Sequence, residues 1–396
     1  MFLAGILVVR YMDKTDYAYY TLTHSLMGSM TSLSTLGAGT ALLSLGGKSV
    51  GDPVELGVIR ATVIRYRQYF TAIVLPIITV ILIYFLSKTG CPPFLTAILL
   101  LLACLNFSFQ FQKQIATTIL KLKREYLVPQ KIGLKSNVAR LIALILLIPF
   151  CFTSWCVLGV TVCIGAITCY YCYLPLAKKH FSATERTSPK VGKEIRRITY
   201  NTLPGTMMAF VMPNLSLFLI TYFGQTENVA ELGALGRIAL IYSIPGAIAV
   251  SIFQPWISSE GKADRLRYKI LLFFLAMTGA GFALLLGAFF ARDYILLILG
   301  SGYSYLGYEL ILFAGLSCFT LSLESLRLSL DARGWVDYFW LNPIINIASM
   351  IVGLAVFRLD LSLLSGVILL SFFRIPAMFL HFSILLRRGF LREFKS

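Results

Sequence analysis

The stretch that decides the fold is KKHFSATERTSPKVGKEIRRIT, residues 178–199, which is polar and carries seven Lys and Arg residues. Six apolar segments precede it and six follow it, so it divides the chain into two comparable halves. These segments cover residues 1–10, 15–43, 69–87, 92–118, 138–153, 156–177, 200–222, 231–256, 270–291, 303–328, 337–357 and 362–386. Most exceed the ~20 residues that a helix needs to cross a hydrocarbon core of ~30 Å.

Composition supports the same interpretation. Hydrophobic residues make up 58% of the 396 residues and charged residues 13%, which is too apolar for a water-soluble chain of this length. Backbone groups in lipid must be hydrogen-bonded within the segment, so helices are favoured over an open sheet. We predict an all-α polytopic membrane protein of about twelve transmembrane helices. Two six-helix bundles, residues 1–190 and 191–396, would surround a central cavity as two parallel repeats, a common plan in transporters.

Basic residues alternate between successive connections. Of 35 Lys and Arg residues, 27 lie in or beside every second loop or in the C-terminal tail, and five lie in the intervening loops: Arg10, Lys14, Lys88, Arg292 and Arg358. Cytoplasmic loops retain positive charge, so this asymmetry predicts a cytoplasmic C-terminus. The net charge of +17 is confined to loops beside the membrane, where it matches anionic membrane lipids, and we expect no nucleic-acid partner.

The first apolar segment is short. Met1 to Arg10 supplies ten residues, about 15 Å of helix and half of a crossing. A signal peptide is not expected, because a basic start and a small-residue cleavage site are both missing. We expect the chain to begin inside the first helix, as a fragment or from a mis-assigned start.

Three motifs resemble those of a known family. The first is Arg10-Tyr-Met-Asp-Lys-Thr-Asp-Tyr-Ala-Tyr-Tyr20, with Ala18 where the family usually has Gly. The second is Leu36-Gly-Ala-Gly-Thr-Ala41, and the third is Leu299-Gly-Ser-Gly-Tyr-Ser-Tyr305. They are similar to the turn before span two, the end of span two and the turn before span ten in Wzx-type O-antigen flippases. These belong to the multidrug/oligosaccharidyl-lipid/polysaccharide superfamily.

The resemblance implies a flippase that moves undecaprenyl-pyrophosphate-linked oligosaccharide repeat units across the bacterial inner membrane by alternating access. The implied partners are the lipid-linked oligosaccharide, membrane lipids and a polysaccharide polymerase. Such transport needs no covalent chemistry, so we predict a non-enzyme without cofactor or metal.

Two arginines within apolar segments are candidate substrate ligands, because a charge in the bilayer is costly and is usually functional. Arg374 lies midway along the last segment, about twelve residues from either end. It would face a hydrated cavity and attract phosphate, or be a structural Arg bonded by carbonyls freed near Pro376. Arg237 lies about one and a half turns inside span eight, where it would be a cavity ligand or an interfacial anchor.

A third candidate group lies in span four, in Phe109-Gln-Phe-Gln-Lys113-Gln114. Lys113 with Gln110 and Gln114 suits a sugar phosphate, since aromatic rings cover sugar faces and amides bond hydroxyls. The alternative is an interfacial lysine within a belt of aromatic residues.

Two further residues are candidates for coupling transport to ions. His24, in the outer half of span two, would titrate with protons or be a packed hydrogen-bonding residue. Glu324 is three residues before Arg327, so the two would form a structural pair or a gate.

The signs of the charges favour an anionic substrate. None of the 18 acidic residues lies deep within the first six predicted segments, whereas drug antiporters of the same superfamily typically use carboxylates there. A drug or metabolite exporter is therefore the first alternative. A membrane-embedded polymerase or acyltransferase is the second, disfavoured because every outward connection is short.

Overall fold

The structure is a computed structural model that describes residues 2–34, 42, 45–46, 52–123, 125, 127–182, 186–335 and 338–394. These residues form helices joined by short connections, and no strand occurs among them. Contacts divide the chain into two compact units. Unit 1 comprises Leu3 and Tyr11–Leu215, and unit 2 comprises Phe2, Ala4–Arg10 and the residues from Ser216 onward. The sequence analysis predicts a different division, into two six-helix repeats that meet between residues 190 and 191, and this division stays a prediction.

The first helices are α1 (Phe2–Tyr11), α2 (Lys14–Ser34), α3 (Pro53–Lys88), α4 (Pro93–Leu122), α5 (Leu127–Leu147), α6 (Ser154–Ile167), α7 (Leu174–Lys178) and α8 (Pro189–Phe223). A π-helical segment, Thr168–Tyr173, joins α6 to α7, so that these three elements form one continuous span. The boundary between the units falls inside α8.

The later helices are α9 (Thr226–Ala239), α10 (Ser243–Ile248), α11 (Gln254–Ser258), α12 (Ala263–Phe290), α13 (Arg292–Leu299), α14 (Gly307–Arg333), α15 (Asn342–Phe357), α16 (Leu364–Phe372) and α17 (Arg374–Phe394). Short 3₁₀ and π segments, Leu240–Tyr242 and Ala249–Phe253, join α9 to α10 and α10 to α11.

Every predicted apolar segment falls on one or more of these helices, which confirms the all-α membrane fold. Among the described residues, eight helical stretches are long and apolar enough to cross a membrane: Thr71–Lys88, Pro93–Leu122, Ser154–Lys178, Thr226–Ile248, Ala263–Phe290, Gly307–Arg333, Phe339–Phe357 and Leu364–Phe394. Phe2–Tyr11 and Asn214–Phe223 are shorter apolar helices. With 21 residues each, α2 and α5 are about 31 Å long, which is about the thickness of the hydrocarbon core.

Several helices extend beyond the apolar segment that predicted them. The α3 helix begins at Pro53, 18 residues before its apolar stretch starts at Thr71. Asp52 caps it, because one carboxylate oxygen accepts from the backbone N–H groups of Val54 and Glu55 at 2.8 and 3.2 Å. Pro53 suits the first position, where its missing N–H is not needed.

In unit 1, α2 is held by polar contacts to later helices. The Asp16 carboxylate accepts from the backbone N–H and the hydroxyl of Ser154, at 2.6 and 2.7 Å, at the start of α6. Asn214 of α8 accepts from the Ser25 hydroxyl at 2.6 Å and donates to the Ser29 hydroxyl at 2.8 Å. Tyr17 of α2 is completely buried. The first family-like motif therefore lies at a packed helix start, whereas Leu36–Ala41 lies outside the described residues.

In unit 2, α12 and α14 pack closely. A Cβ added to Gly281 would lie 3.2 Å from Cα of Cys318, so the absence of a side chain allows the backbones to approach. The third family-like motif forms the turn between α13 and α14. Gly300 has φ of +113° there, and the Tyr305 hydroxyl donates to the buried Glu231 carboxylate of α9.

We expect reporter fusions to confirm the orientation predicted from the loop charges. Fusions after Lys123, Lys190 and Lys395 should report the cytoplasm, and fusions near Lys88 and Gln225 should report the outside. Alkaline phosphatase and green fluorescent protein fusions measure the two outcomes in parallel. Two or more reversed fusions would contradict the twelve-span topology.

Candidate functional site

A cationic cavity lies within unit 1 between α3 and α4 and has a volume of about 220 Å³. Its lining consists of Leu42, Val63, Arg67, Gln110, Lys113, Gln114, Ile115, Thr117, Thr118 and Lys121. Gln110, Lys113, Gln114 and Thr117 follow the i, i+3, i+4, i+7 spacing, which places them on one face of α4. Three predicted ligands, Lys113, Gln110 and Gln114, therefore meet in one cavity. The exposed Lys121 also lines it, and so does a second cation removed from solvent, which the sequence analysis missed.

That second cation is Arg67 of α3, which is only 3% exposed. Its guanidinium carbon lies 3.4 Å from the centroid of the Phe111 ring, and Nη1 donates to the Phe111 carbonyl at 3.5 Å. Arg67 precedes the apolar stretch of α3, and burial lowers its pKa to about 9. The guanidinium therefore keeps its positive charge at neutral pH although it is removed from water.

Lys113 is half-buried, and its ammonium lies 5.4 Å from the centroid of the Tyr173 ring, within the range of a cation–π contact. Tyr173 belongs to the π-helical segment and donates its hydroxyl to the Pro129 carbonyl at 2.9 Å. The ring is thereby fixed beside the ammonium. The aromatic neighbour expected for Lys113 is present, although it comes from another helix.

The Gln114 side chain adds an unsatisfied acceptor. Its Oε1 is buried and makes no hydrogen bond within the part of the chain that the structure describes. A buried carbonyl oxygen without a donor is costly, so such an atom is a natural acceptor for a ligand hydroxyl. The cavity thus combines three cations that can bind an anion with an amide oxygen that can accept from a hydroxyl group.

Arg374 lies at a break in the last span, rather than in the continuous helix that the sequence suggests. The α16 helix ends at Phe372, and Arg374 is the first residue of α17. The positive end of the α17 dipole adds to the charge of its half-buried guanidinium. Within the described residues, Arg374 makes no hydrogen bond or ion pair, so no carbonyl near Pro376 accepts from it there.

Arg237 lies near the end of α9 and contacts α1. A Cβ added to Gly5 would approach Cδ of Arg237 to 2.9 Å, so the aliphatic part of the side chain packs against α1. Arg237 and Arg374 both belong to unit 2, on α9 and α17, whereas the cationic cavity belongs to unit 1.

The two candidates for coupling have different surroundings. His24 stacks on Tyr20, with ring centroids 5.4 Å apart, and the Tyr20 hydroxyl accepts from Nη2 of the buried Arg140 at 3.3 Å. Glu324 forms the predicted ion pair with Arg327, which also contacts Asp331 at 2.9 Å. This three-residue network neutralises Glu324 locally, as expected for a structural pair.

Comparison with known proteins shows the fold. No family model matches this chain, and no curated protein matches it in sequence. An inward-facing multidrug resistance MATE family transporter of the MOP superfamily has 12% identity and a TM-score of 0.70 over 98% of this chain and 94% of its own. The lipid II flippase MurJ in an inward closed conformation has 12% identity and a TM-score of 0.71, over 99% and 87%. A Vibrio cholerae MATE transporter has 12% identity and a TM-score of 0.62, over 98% and 96%.

The chain therefore has the fold of the MATE and MurJ transporters of the MOP superfamily. Both are transporters or flippases rather than enzymes. Among the described residues, no group of three or more His, Cys, Asp or Glu side chains is arranged to hold a metal ion.

Proposed function

We propose that this protein is a flippase for undecaprenyl-pyrophosphate-linked oligosaccharide repeat units in the bacterial inner membrane. The observation that carries the proposal is the cavity in which Arg67 and Lys113 lie beside Gln110 and Gln114. The three cations that line it, Arg67, Lys113 and Lys121, have no carboxylate among the lining residues and attract an anion, and a pyrophosphate leaving water needs such fixed positive charge.

The amides beside the cations suit the sugars of the same substrate. The side-chain amides of Gln110 and Gln114 can donate hydrogen bonds to hydroxyl groups and accept hydrogen bonds from them. Among the described residues, no donor forms a hydrogen bond to the buried Oε1 of Gln114. The buried Tyr173 ring lies beside Lys113 and stabilises its ammonium by a cation–π contact. Arg374 at the start of α17 and Arg237 on α9 are candidate phosphate ligands within unit 2.

The fold shared with MATE transporters favours a second candidate, a drug or metabolite exporter. The sign of the charges separates the two proposals, because a cationic drug would be repelled by Arg67 and Lys113. The lipid II flippase with the same fold acts on a lipid substrate, which supports the first proposal. A polysaccharide polymerase in the same membrane is the partner we would expect to receive the flipped repeat unit.

A reconstitution experiment tests the proposal. Purified protein is placed in vesicles that carry a fluorescent polyprenyl-pyrophosphate disaccharide in both leaflets, and an impermeant reductant is added outside. We expect the reductant to bleach both leaflets with the protein present, and only the outer leaflet in protein-free vesicles. Uptake of a cationic dye in the same vesicles, without movement of the lipid, would establish the exporter instead.

A further inference from the structure

A second cavity in unit 1 has the shape and chemistry of a lipid site. It lies between α5 and the span formed by α6, the π-helical segment and α7, with a volume of about 610 Å³. Its lining consists of Ile132, Lys135, Ser136, Ala139, Ile164, Ile167, Thr168, Tyr171, Cys172, Pro175, Leu176 and Lys179. We call it the lysine-capped groove after its two charged residues. Lys179 lies at the predicted cytoplasmic end of one wall, and Lys135 lies on the other wall beside Ser136, which is level with Thr168.

The spacing of these residues makes one continuous strip. On α5, Ile132, Lys135, Ser136 and Ala139 follow the i, i+3, i+4, i+7 pattern of a single helix face. On the opposite wall the lining runs from Ile164 to Lys179, which is about 22 Å at 1.5 Å per residue. A single leaflet is about 15 Å deep, so the groove is long enough to extend through one leaflet.

The walls are fixed before any ligand binds. Thr168 of the π-helical segment and Ser136 of α5 hold the two walls together, with their hydroxyl oxygens 3.1 Å apart. On the other side of the π-helical segment, Tyr173 is anchored to Pro129 and Cys169 donates to the Phe109 carbonyl at 3.3 Å. The π-helical turn thus presents Thr168, Tyr171 and Cys172 to the groove, and its buried Tyr173 contacts Lys113 of the cationic cavity.

The two lysines are available to an anion. Both are exposed, and no acidic side chain lines the groove. Within the described residues neither Lys135 nor Lys179 makes an ion pair, whereas the neighbouring His180 lies 3.2 Å from Glu125. The part of the groove between Lys135 and Lys179 is therefore cationic, and the part beyond Lys135, at Ala139, Ile164 and Ile167, is apolar. These two parts complement the phosphate and an acyl chain of an anionic lipid.

We propose that the lysine-capped groove binds one anionic phospholipid, with its phosphate between Lys135 and Lys179 and an acyl chain along Ala139, Ile164 and Ile167. Basic pockets between transmembrane helices on the cytoplasmic side recognise anionic headgroups in this way. The site is separate from the proposed substrate cavity. A lipid held there would press on the same π-helical segment that fixes Tyr173 beside Lys113.

The experiment is native mass spectrometry of the purified full chain, titrated with phosphatidylglycerol or phosphatidylcholine of identical acyl chains. We expect one phosphatidylglycerol to bind several-fold more tightly than phosphatidylcholine, and the variant Lys135→Gln with Lys179→Gln to lose that preference. Lys131→Gln with Lys178→Gln is the matched control, because both residues are exposed, lie close to the first pair in sequence and do not line the groove. Equal loss in both double variants would overturn the proposal, since it would indicate diffuse surface charge.

A second variant tests the apolar part of the site. Ala139 is exposed in the groove, so Ala139→Trp should fill it without altering charge or helix packing. We expect this variant to release the tightly bound phosphatidylglycerol while its thermal unfolding stays near that of the wild type. Retention of the lipid by Ala139→Trp would show that no acyl chain occupies the groove, and the proposal would be wrong.

Discussion

Replacing Arg374 with Gln is expected to abolish the export of surface polysaccharide while the protein remains in the membrane at near wild-type abundance. The Arg374 guanidinium and the positive end of the α17 dipole favour an anionic ligand. A positive charge at this depth in the bilayer is costly without an anion beside it. Export is measured by surface labelling of the polysaccharide in cells that produce the variant as their only copy, and abundance by immunoblotting of the membrane fraction.

Two further variants make this prediction specific. Arg374→Lys should export an intermediate amount of polysaccharide, because an ammonium keeps the positive charge but lacks the planar guanidinium that can form two parallel hydrogen bonds to phosphate. Arg387→Gln, an exposed arginine on the same helix, is the control and should export normally. Normal export by Arg374→Gln, or disappearance of that variant from the membrane, would count against a ligand role.

Replacing Lys113 with Gln should lower transport of the lipid-linked pyrophosphate at least about tenfold, since a hydrogen bond to a charged group contributes about 1.5–3 kcal/mol. Lys113 faces the cationic cavity and Tyr173, and in the described residues it has no carboxylate partner to lose. Removing the Lys113 ammonium therefore weakens binding of the anionic ligand and does not leave a buried charge of the protein unpaired. The rate of lipid movement in reconstituted vesicles measures the effect.

The controls for Lys113 separate charge from position. Lys113→Arg should retain most transport, whereas Lys190→Gln, an exposed lysine of α8 that does not line the cavity, should not change it. If Lys113→Gln instead begins to transport a cationic dye, the cavity belongs to an exporter and the charge had excluded such substrates.

The fold could be predicted from the sequence because the bilayer permits few alternatives. Each apolar segment had to be a helix, and the spacing of Gln110, Lys113 and Gln114 placed them on one face. Arg67 was missed because it follows Arg60 and Arg65 at the edge of a basic connection. A basic residue in such a position is ordinarily interpreted as one that flanks a membrane span. Its burial depends on Phe111 of another helix, which spacing along the chain cannot reveal.

The residues at which helices begin and end were harder to predict from the sequence than the presence of the helices. The sequence Asp52-Pro53-Val54-Glu55 carries the cap, the first-turn proline and the acidic residue of a helix start, so the extension of α3 could have been found. The break before Arg374 has a local cause that only the structure makes plain. Pro376 is the third residue of α17, where its missing N–H costs nothing, whereas in an unbroken helix it would remove a hydrogen bond.

The link between Asp16 and Ser154 also has a consequence for biogenesis. Composition alone does not place α2 among the stretches apolar enough to cross a membrane, and its carboxylate finds its partner 138 residues later. At 5–20 residues per second, a ribosome needs on the order of ten seconds to make that interval. During this time the α2 segment of the nascent chain lacks its Ser154 partner, and we expect ribosome stalling before α6 to make this segment more accessible to membrane proteases.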